Sequence, residues 1–433
     1  MDTVCGMFKR ILIIAAGVSF GFAITLAAVR WTPAWGWFGN RDLDRSSDYV
    51  REVLQLVHDN YVDPAESQYA PLTRSALHGM VESLDPHSEF LESDDYREIE
   101  EEMSGKFGGI GIQVEMRQGR VVVIAPIAGS PGERAGLLRG DEIVRVDGQP
   151  VVKGGAINEV VDKLRGAPHT TVKVSFFRPS NGRTFELSLV REIIKVETVR
   201  DVHVLPGGVG YLQLTEFSER SGDEFRRALA QLRQEGATSL VLDLRNNPGG
   251  LLDAAVEVAE PFFRKGELIV YTQGRKPEDR DDYLSESKTE PLRLPLAVLI
   301  NSGTASAAEI VAGALKDTGR AVIVGERSFG KGSVQSVFKL KDGEGMRLTT
   351  ARYYTPSGRT IHEKGIEPQV EVVLTAEEDS KLRLQRMRSD VAAPKEFAQR
   401  FDFAPIADRQ LQAAVDVLKG LEVFVARTAA VRP

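Results

Sequence analysis

Two side chains in this sequence have the types and settings for nucleophilic catalysis: a serine at a helix start and a lysine in a glycine loop. The serine is Ser306. It lies in Asn301-Ser302-Gly303-Thr304-Ala305-Ser306-Ala307-Ala308-Glu309, between an apolar strand at 296–300 and a helix expected over 306–316. A hydroxyl there sits beside unpaired amides and the positive end of the helix dipole, where an oxyanion is stabilised. Ser306 with Glu309 also satisfies a capping box, so a purely structural N-cap accounts for the same residues. The lysine is Lys331, flanked by Gly330 and Gly332 among apolar strands. Desolvation in such packing disfavours the ammonium form and lowers its pKa. Bringing a lysine from ~10.4 to about 7 takes roughly 4–5 kcal/mol of differential destabilisation, which burial can supply. A neutral lysine of that kind serves as a general base. The bland alternative is a solvated loop lysine.

A third segment bears on the choice. Asp243-Leu244-Arg245-Asn246-Asn247-Pro248-Gly249-Gly250 follows a strand at 239–244, and its glycine amides would face the strand ends where open α/β sheets build their sites. A plain strand-to-helix turn explains the glycines but not the whole cluster. Other chemistries fit less well. Gly325 to Lys331 imitates a phosphate-binding loop, but Gly332 stands where Ser or Thr would hold magnesium. The alternation from Val334 to Leu340 also reads as a strand, not the helix such a loop must open. The six histidines form no HExxH pair, and no G-x-S-x-G elbow surrounds Ser306. His362 beside Glu363 reads as a surface pair.

The elements that must position these residues follow from length and periodicity. A chain of 433 residues, 42% hydrophobic and 27% charged, folds around ordinary cores and divides into several domains. The net charge of −7 gives no global basic field for nucleic acid. The single cysteine, Cys5, cannot form an intramolecular disulfide or a cysteine-rich metal centre. Lys9 and Arg10 precede an uncharged run from Ile11 to Val29, so residues 1–30 read as a signal peptide or signal anchor. That expectation exports the rest of the chain, cleaved from its signal or tethered to a membrane, and its freedom from thiols suits an oxidising periplasm without requiring one.

Residues 31–103 are expected to hold a linker over 31–45 and then helices, beginning at Ser46-Ser47-Asp48 and continuing near 71–84 and 93–103. Over 104–190 the period becomes two, with a helix at 157–164, which makes a compact β-rich module. Over 191–375 strands at 209–213, 239–244, 296–300 and 321–324 alternate with amphipathic helices, as in a layered α/β domain. Residues 376–433 return to helical spacing. This tail and 46–103 are expected to pack between subunits, leaving a catalytic core that closes without them.

Together these motifs resemble the carboxyl-terminal processing proteases, tail-specific serine peptidases with a serine–lysine dyad. The resemblance covers roughly 46–375. It rests on PDZ-like Gly109-Ile110-Gly111-Ile112, Ser130-Pro131 through Gly148 and Leu164-Arg165-Gly166. It rests also on Asp243–Gly250, Gly303–Ile310, Gly325–Gln335, and Tyr353 through Gly358 with Gly365-Ile366-Glu367-Pro368. It implies that Ser306 is the nucleophile, Lys331 the base and Gln335 the group that positions it. Ala307 and either Gly249 or Gly250 would then supply the oxyanion amides. The implied fold is multidomain α/β: a helical N-terminal segment, a PDZ-like module, a layered protease domain and a helical tail. No metal or cofactor is implied. Protein substrates, among them envelope proteins or cell-wall hydrolases, a lipoprotein adaptor and a homo-oligomer are the partners it suggests. Gly109 to Ile112 would capture a peptide carboxylate by strand addition. Arg165, at the end of helix 154–164, would relay that event to the catalytic domain or simply cap the helix. A catalytically inactive PDZ scaffold is the second reading. An acyl-CoA enzyme of related fold would not explain the export signal or the PDZ module.

Overall fold

The computed structural model of this chain describes residues 40–431, apart from 128, 389, 390 and 392. The apolar run 11–29 lies outside the described residues. Among the described residues no helix is long and apolar enough to cross a membrane. They fall into two compact units that divide between Leu84 and Asp85.

The first unit holds α1 (Arg41–Asn60) and α2 (Tyr69–Glu82). Helix α1 starts earlier than Ser46-Ser47-Asp48 suggests. Asn40 caps it, its side chain accepting from the amides of Asp42 and Leu43 at 3.2 and 3.4 Å. Asp42 and Asp44 then add negative charge to the first turn, where the dipole favours it. No residue of α1 is buried, so its apolar stripe of Tyr49, Val50, Val53, Leu56 and Val57 stays exposed.

The second unit opens with β1 (Glu89–Leu91) and α3 (Ser93–Ser104), then the β-rich module. That module runs β2 (Lys106–Gly109), β3 (Ile112–Arg117), β4 (Arg120–Pro126), α4 (Pro131–Arg134), β5 (Glu142–Val146), β6 (Gln149–Pro150), α5 (Ile157–Leu164), β7 (Thr171–Arg178), β8 (Arg183–Val190) and β9 (Glu192–Lys195). Its sheet is ordered β3-β4-β5-β7-β8, with β6 on β5, and β2 pairs with β9 as a separate ribbon. Period-two burial places Val172, Val174 and Phe176 inward from β7, against Val160 and Leu164 of α5.

The layered domain follows with β10 (Val199–Leu205), β11 (Val209–Leu214), α6 (Ser221–Gln234), β12 (Ser239–Asp243), α7 (Leu252–Ala259), β13 (Leu268–Gln273), β14 (Arg280–Leu284), β15 (Leu296–Ile300), α8 (Ala307–Asp317), β16 (Val322–Gly325), β17 (Ser333–Lys339), β18 (Gly345–Tyr354) and β19 (Val370–Glu371). One sheet is ordered β10-β11-β12-β15-β16-β19 and is parallel from β11 onward. Every residue of β12 and β15 is buried, as expected of parallel strands covered on both faces. Helices α6, α7 and α8 supply one cover.

The tail is α9 (Ala376–Met387), α10 (Pro394–Phe401) and α11 (Arg409–Val431). Here the expectation of a core that closes without the tail fails. Ala414, Val415 and Leu418 of α11 are buried against Val209, Tyr211, Val241 and Leu299, so this helix is the sheet's second cover. The sequence reading also lacks the second sheet, β1-β18-β13-β14 with β17 on β18. Its longest strand, β18, alternates Arg347, Thr349 and Ala351 with equally mixed neighbours, so no apolar face announces it.

Candidate active site

Ser306 lies between the C-terminal end of β15 and α8, with a backbone φ of 53°. A non-glycine residue in that region stores roughly 1–3 kcal/mol of strain, so its surroundings must impose the conformation. They do so through hydrogen bonds. Asn301 N–H donates to Thr304 Oγ1 at 3.0 Å, and that hydroxyl donates to the carbonyl of Leu244 at 2.8 Å. Ala305 N–H donates to the carbonyl of Asn247 at 2.9 Å. The serine turn is thereby fastened to the Asp243–Gly250 turn.

Glu309 does more than cap. Its fully buried carboxylate accepts from Ser306 N–H at 2.9 Å, Gly330 N–H at 2.7 Å, Lys331 N–H at 2.8 Å and Ser328 Oγ at 2.5 Å. Burial pushes this carboxyl up, and those four donors oppose the shift. Ser306 and Lys331 donate to the same oxygen, Oε2, so their amides lie within the sum of two hydrogen bonds of one another. The capping box expected of Ser306 and Glu309 is formed. Glu309 N–H also donates to the Ser306 carbonyl at 2.8 Å, and the Ser306 hydroxyl meets that of Tyr353. Burial is the main reason that the Tyr353 hydroxyl is pushed up to about 12.

Around the hydroxyl, the amides of Ala307 and Gly250 have no acceptor among the described residues. Gly249 N–H, by contrast, donates to Asn247 Oδ1 at 2.9 Å. Gly249 has φ 103°, and a Cβ on it would stand 2.7 Å from the Cβ of Ser306, so only glycine permits this approach.

Lys331 lies on the loop between β16 and β17. That strand–loop–strand order confirms that no helix follows the Gly325–Lys331 segment. Burial lowers its pKa, Arg347 adds to the depression and Glu89 opposes it. Glu89 pairs with Arg347 at 2.8 Å across β1 and β18. Among the described residues no hydrogen bond or ion pair links the Lys331 ammonium to Ser306 or to Gln335. The Gln335 amide donates instead to Ser333 Oγ and Thr349 Oγ1, at 3.1 and 2.9 Å. Its Oε1 is buried without a partner.

Two parts of this site carry signals that sequence reasoning missed. Tyr353 lies in the Tyr353–Gly358 motif, where its spacing assigns it no role. The turn before β1 reaches the β18 side, where Ser88 Oγ donates to Asp85 Oδ2 at 2.8 Å and accepts from Thr349 N–H at 3.1 Å. His87 in that turn is pushed down by burial and then by the charge of Lys331. His362 and Glu363 form a loose pair at 3.8 Å, with Glu363 exposed. No group of His, Cys, Asp and Glu among the described residues could hold a metal ion.

In the β-rich module, Gly109 pairs with Glu192 and Ile112 with Pro126. Between them the amides of Ile110 and Gly111 have no acceptor among the described residues, while their carbonyls accept from Gly132 and Ile127. Arg165 is the C-cap of α5. Its guanidinium bonds Glu98 of α3 at 3.1 Å and lies 5.0 Å over the ring of Phe107. Helix α3 packs in turn on β1 and β18, which flank the lysine.

Comparison with known proteins adds independent findings. The sequence model of peptidase family S41 matches residues 208–372, and that of the PDZ domain matches residues 108–189. A carboxy-terminal-processing protease of Bartonella bacilliformis is 37% identical over 372 residues, covering 84% of this chain and 83% of its own. The carboxy-terminal processing protease CtpA of Bacillus subtilis is 37% identical over 335 residues, 76% of this chain and 70% of its own. A solved structure of a photosystem II D1 C-terminal processing protease covers 74% of this chain and 91% of its own, at 34% identity and a TM-score of 0.43.

Proposed function

Given that this chain belongs to peptidase family S41 and is a serine peptidase carrying a PDZ domain, we propose that Ser306 and Lys331 are its catalytic dyad. The observation that carries this reading is the shared carboxylate oxygen of Glu309, which holds the backbones of both residues in one place. Neutral Lys331 takes the Ser306 proton as Oγ attacks the peptide carbonyl. The oxyanion is received by the amides of Ala307 and Gly250, which find no acceptor among the described residues. Engaged by Asn247, the amide of Gly249 would contribute only after a change of partner. Lys331 then protonates the leaving amine, and water resolves the acyl-enzyme. Gln335 would position Lys331 through its unpartnered buried Oε1 once the lysine turns toward it.

The PDZ domain is proposed to select protein C-termini, with the free amides of Ile110 and Gly111 capturing the carboxylate. The missing Ser306–Lys331 bond fits a resting state that peptide binding completes through Arg165, Glu98 and α3. The signal-like run 11–29 supports export to a periplasm, where envelope proteins, including cell-wall hydrolases, would be substrates and a lipoprotein adaptor a partner. The exposed stripe of α1 supports a homo-oligomer. Digestion of an unfolded protein such as casein tests the reading. Cleavage by the parent that disappears in Ser306→Ala supports it; no cleavage by the parent with any C-terminal peptide added favours an inactive scaffold.

A further inference from the structure

A second concavity lies at the same strand ends as Ser306, beyond the Asp243–Gly250 turn. It has a volume of about 220 Å³ and is lined by four arginines, Arg200, Arg245, Arg383 and Arg386, against one carboxylate, Asp201. Thr215 and Gln213, at the end of β11, add polar groups. The carboxyl ends of parallel strands are where open α/β sheets take ligands.

The charges around it are not evenly spent. Arg245 is fully buried and saturated: Asp243, Asp408 and Gln410 accept all of its bonds. Arg386 is different. Among the described residues neither of its buried terminal nitrogens has a hydrogen-bond partner. The nearest carboxylate, Asp408, stands 3.6 Å away and already accepts from Arg245 and from Leu411 N–H. Asp379, one turn before Arg383 on α9, accepts instead from Asn301 Nδ2 at 3.4 Å. Arg200, whose Nε donates to the carbonyl of Glu197 at 3.3 Å, and Arg383 add two more guanidiniums to a lining whose one carboxylate is Asp201. A buried guanidinium without acceptors is costly, and a ligand that supplies them is bound correspondingly well.

We propose that this cavity binds a phosphate-type oxyanion, gripped by the Arg386 fork and flanked by Arg200 and Arg383. Guanidinium forks match such oxygens in pairs, and tetrahedral anions can meet several forks at once. The volume limits the ligand. At ~30 Å³ per water the cavity holds about seven waters, enough for phosphate or a short phosphoester and too little for a peptide segment. Binding also touches the catalytic end. Asn246 lines the cavity, takes a bond from Asn301 Nδ2 at 3.1 Å and donates its amide to Asn301 Oδ1 at 2.9 Å. An occupied cavity thus braces the turn that leads to Gly249 and Gly250.

Calorimetric titration of the full chain with inorganic phosphate, at fixed ionic strength set by chloride, tests the proposal. One saturable site per chain is expected. Arg386→Gln should weaken it at least about tenfold, and Arg383→Gln, at the exposed mouth where folding is not at stake, by about threefold or more. A parallel titration with glycerol phosphate separates sources: tighter binding assigns a phosphoester headgroup, equal or weaker binding a free anion. No saturable heat with either compound, or affinities unchanged in both variants, overturns the proposal.

Discussion

The serine arm and the lysine arm of the site are built in different ways. Ser306 is fixed at every level: a strained backbone, a turn laced to Asn247 and Leu244, and a hydroxyl met by Tyr353. Lys331 is fixed only at its backbone, through Glu309 and the close glycines, while its ammonium meets neither Ser306 nor Gln335. A Cβ on Gly332 would stand 2.2 Å from the His362 amide nitrogen, so the loop has no room to shift as a body. Motion is therefore left to side chains. The contrast teaches that the proposed dyad would be pre-built in the backbone and completed by a rotamer change.

The largest expected effects remove either arm. Ser306→Ala and Lys331→Met should each lower proteolysis by at least about 10³-fold, because in the proposed mechanism the two act as one unit. Thermal stability should separate them. The folded-state pKa of Lys331 is depressed by burial, so between that value and the ordinary lysine range the unfolded chain holds the extra proton. Stability contributed at this site rises with pH across that window and is lowest below it. Lys331→Met should accordingly raise Tm at neutral pH, whereas Ser306→Ala should leave it nearly unchanged. Rate against pH should rise through an apparent pKa below the free-lysine value; a profile without such a limb removes Lys331 as base.

Glu309→Ala strikes both arms at once. It strands four buried donors, and a loss of at least about 2 kcal/mol with a rate loss of roughly 10²-fold is expected. Glu309→Gln, which keeps one acceptor oxygen, should fall between that variant and the parent in urea denaturation and in rate. An unchanged rate in Glu309→Ala would break the shared-anchor account.

Arg165→Ala sharpens the question of what completes the lysine arm. Its pair with Glu98 is half-exposed and worth ~0–1 kcal/mol, so Tm should hardly move. The cleavage rate should drop about tenfold or more if α5 and α3 carry the peptide signal. Equal rates across peptide concentrations would leave Arg165 as a helix cap. The smallest effect is on assembly: replacing Val50 and Val53 of α1 with serine should lower the mass seen by light scattering while activity per chain changes little.

Much of this was legible before any coordinates. Strands β12 and β15 are continuous apolar runs because they are buried on both faces, and α6 and α5 fall where their apolar spacing puts them. Ser306 and Lys331 stood out because glycines and small residues crowd them. The second sheet was not legible, since β18 has mixed residues on both faces and its partners β1 and β17 flank it from far apart in the chain. The burial of α11 was hidden for a related reason: an amphipathic tail looks the same whether its stripe meets another subunit or its own sheet. Spacing shows only the cap role of Glu309, because it reveals the bond to Ser306 but not those to Ser328, Gly330 and Lys331. Which glycine amide is free depends on Asn247, whose side-chain direction no motif specifies.

One measurement tests the central claim most directly. The full chain is treated with a fluorophosphonate, an electrophile that labels activated serines, and the modified residue is located by mass spectrometry in the parent and in Lys331→Met. The account predicts a single adduct on Ser306 whose rate of formation falls at least about 10²-fold in Lys331→Met. An adduct on another serine, or labelling of Ser306 undiminished without the lysine, would contradict it.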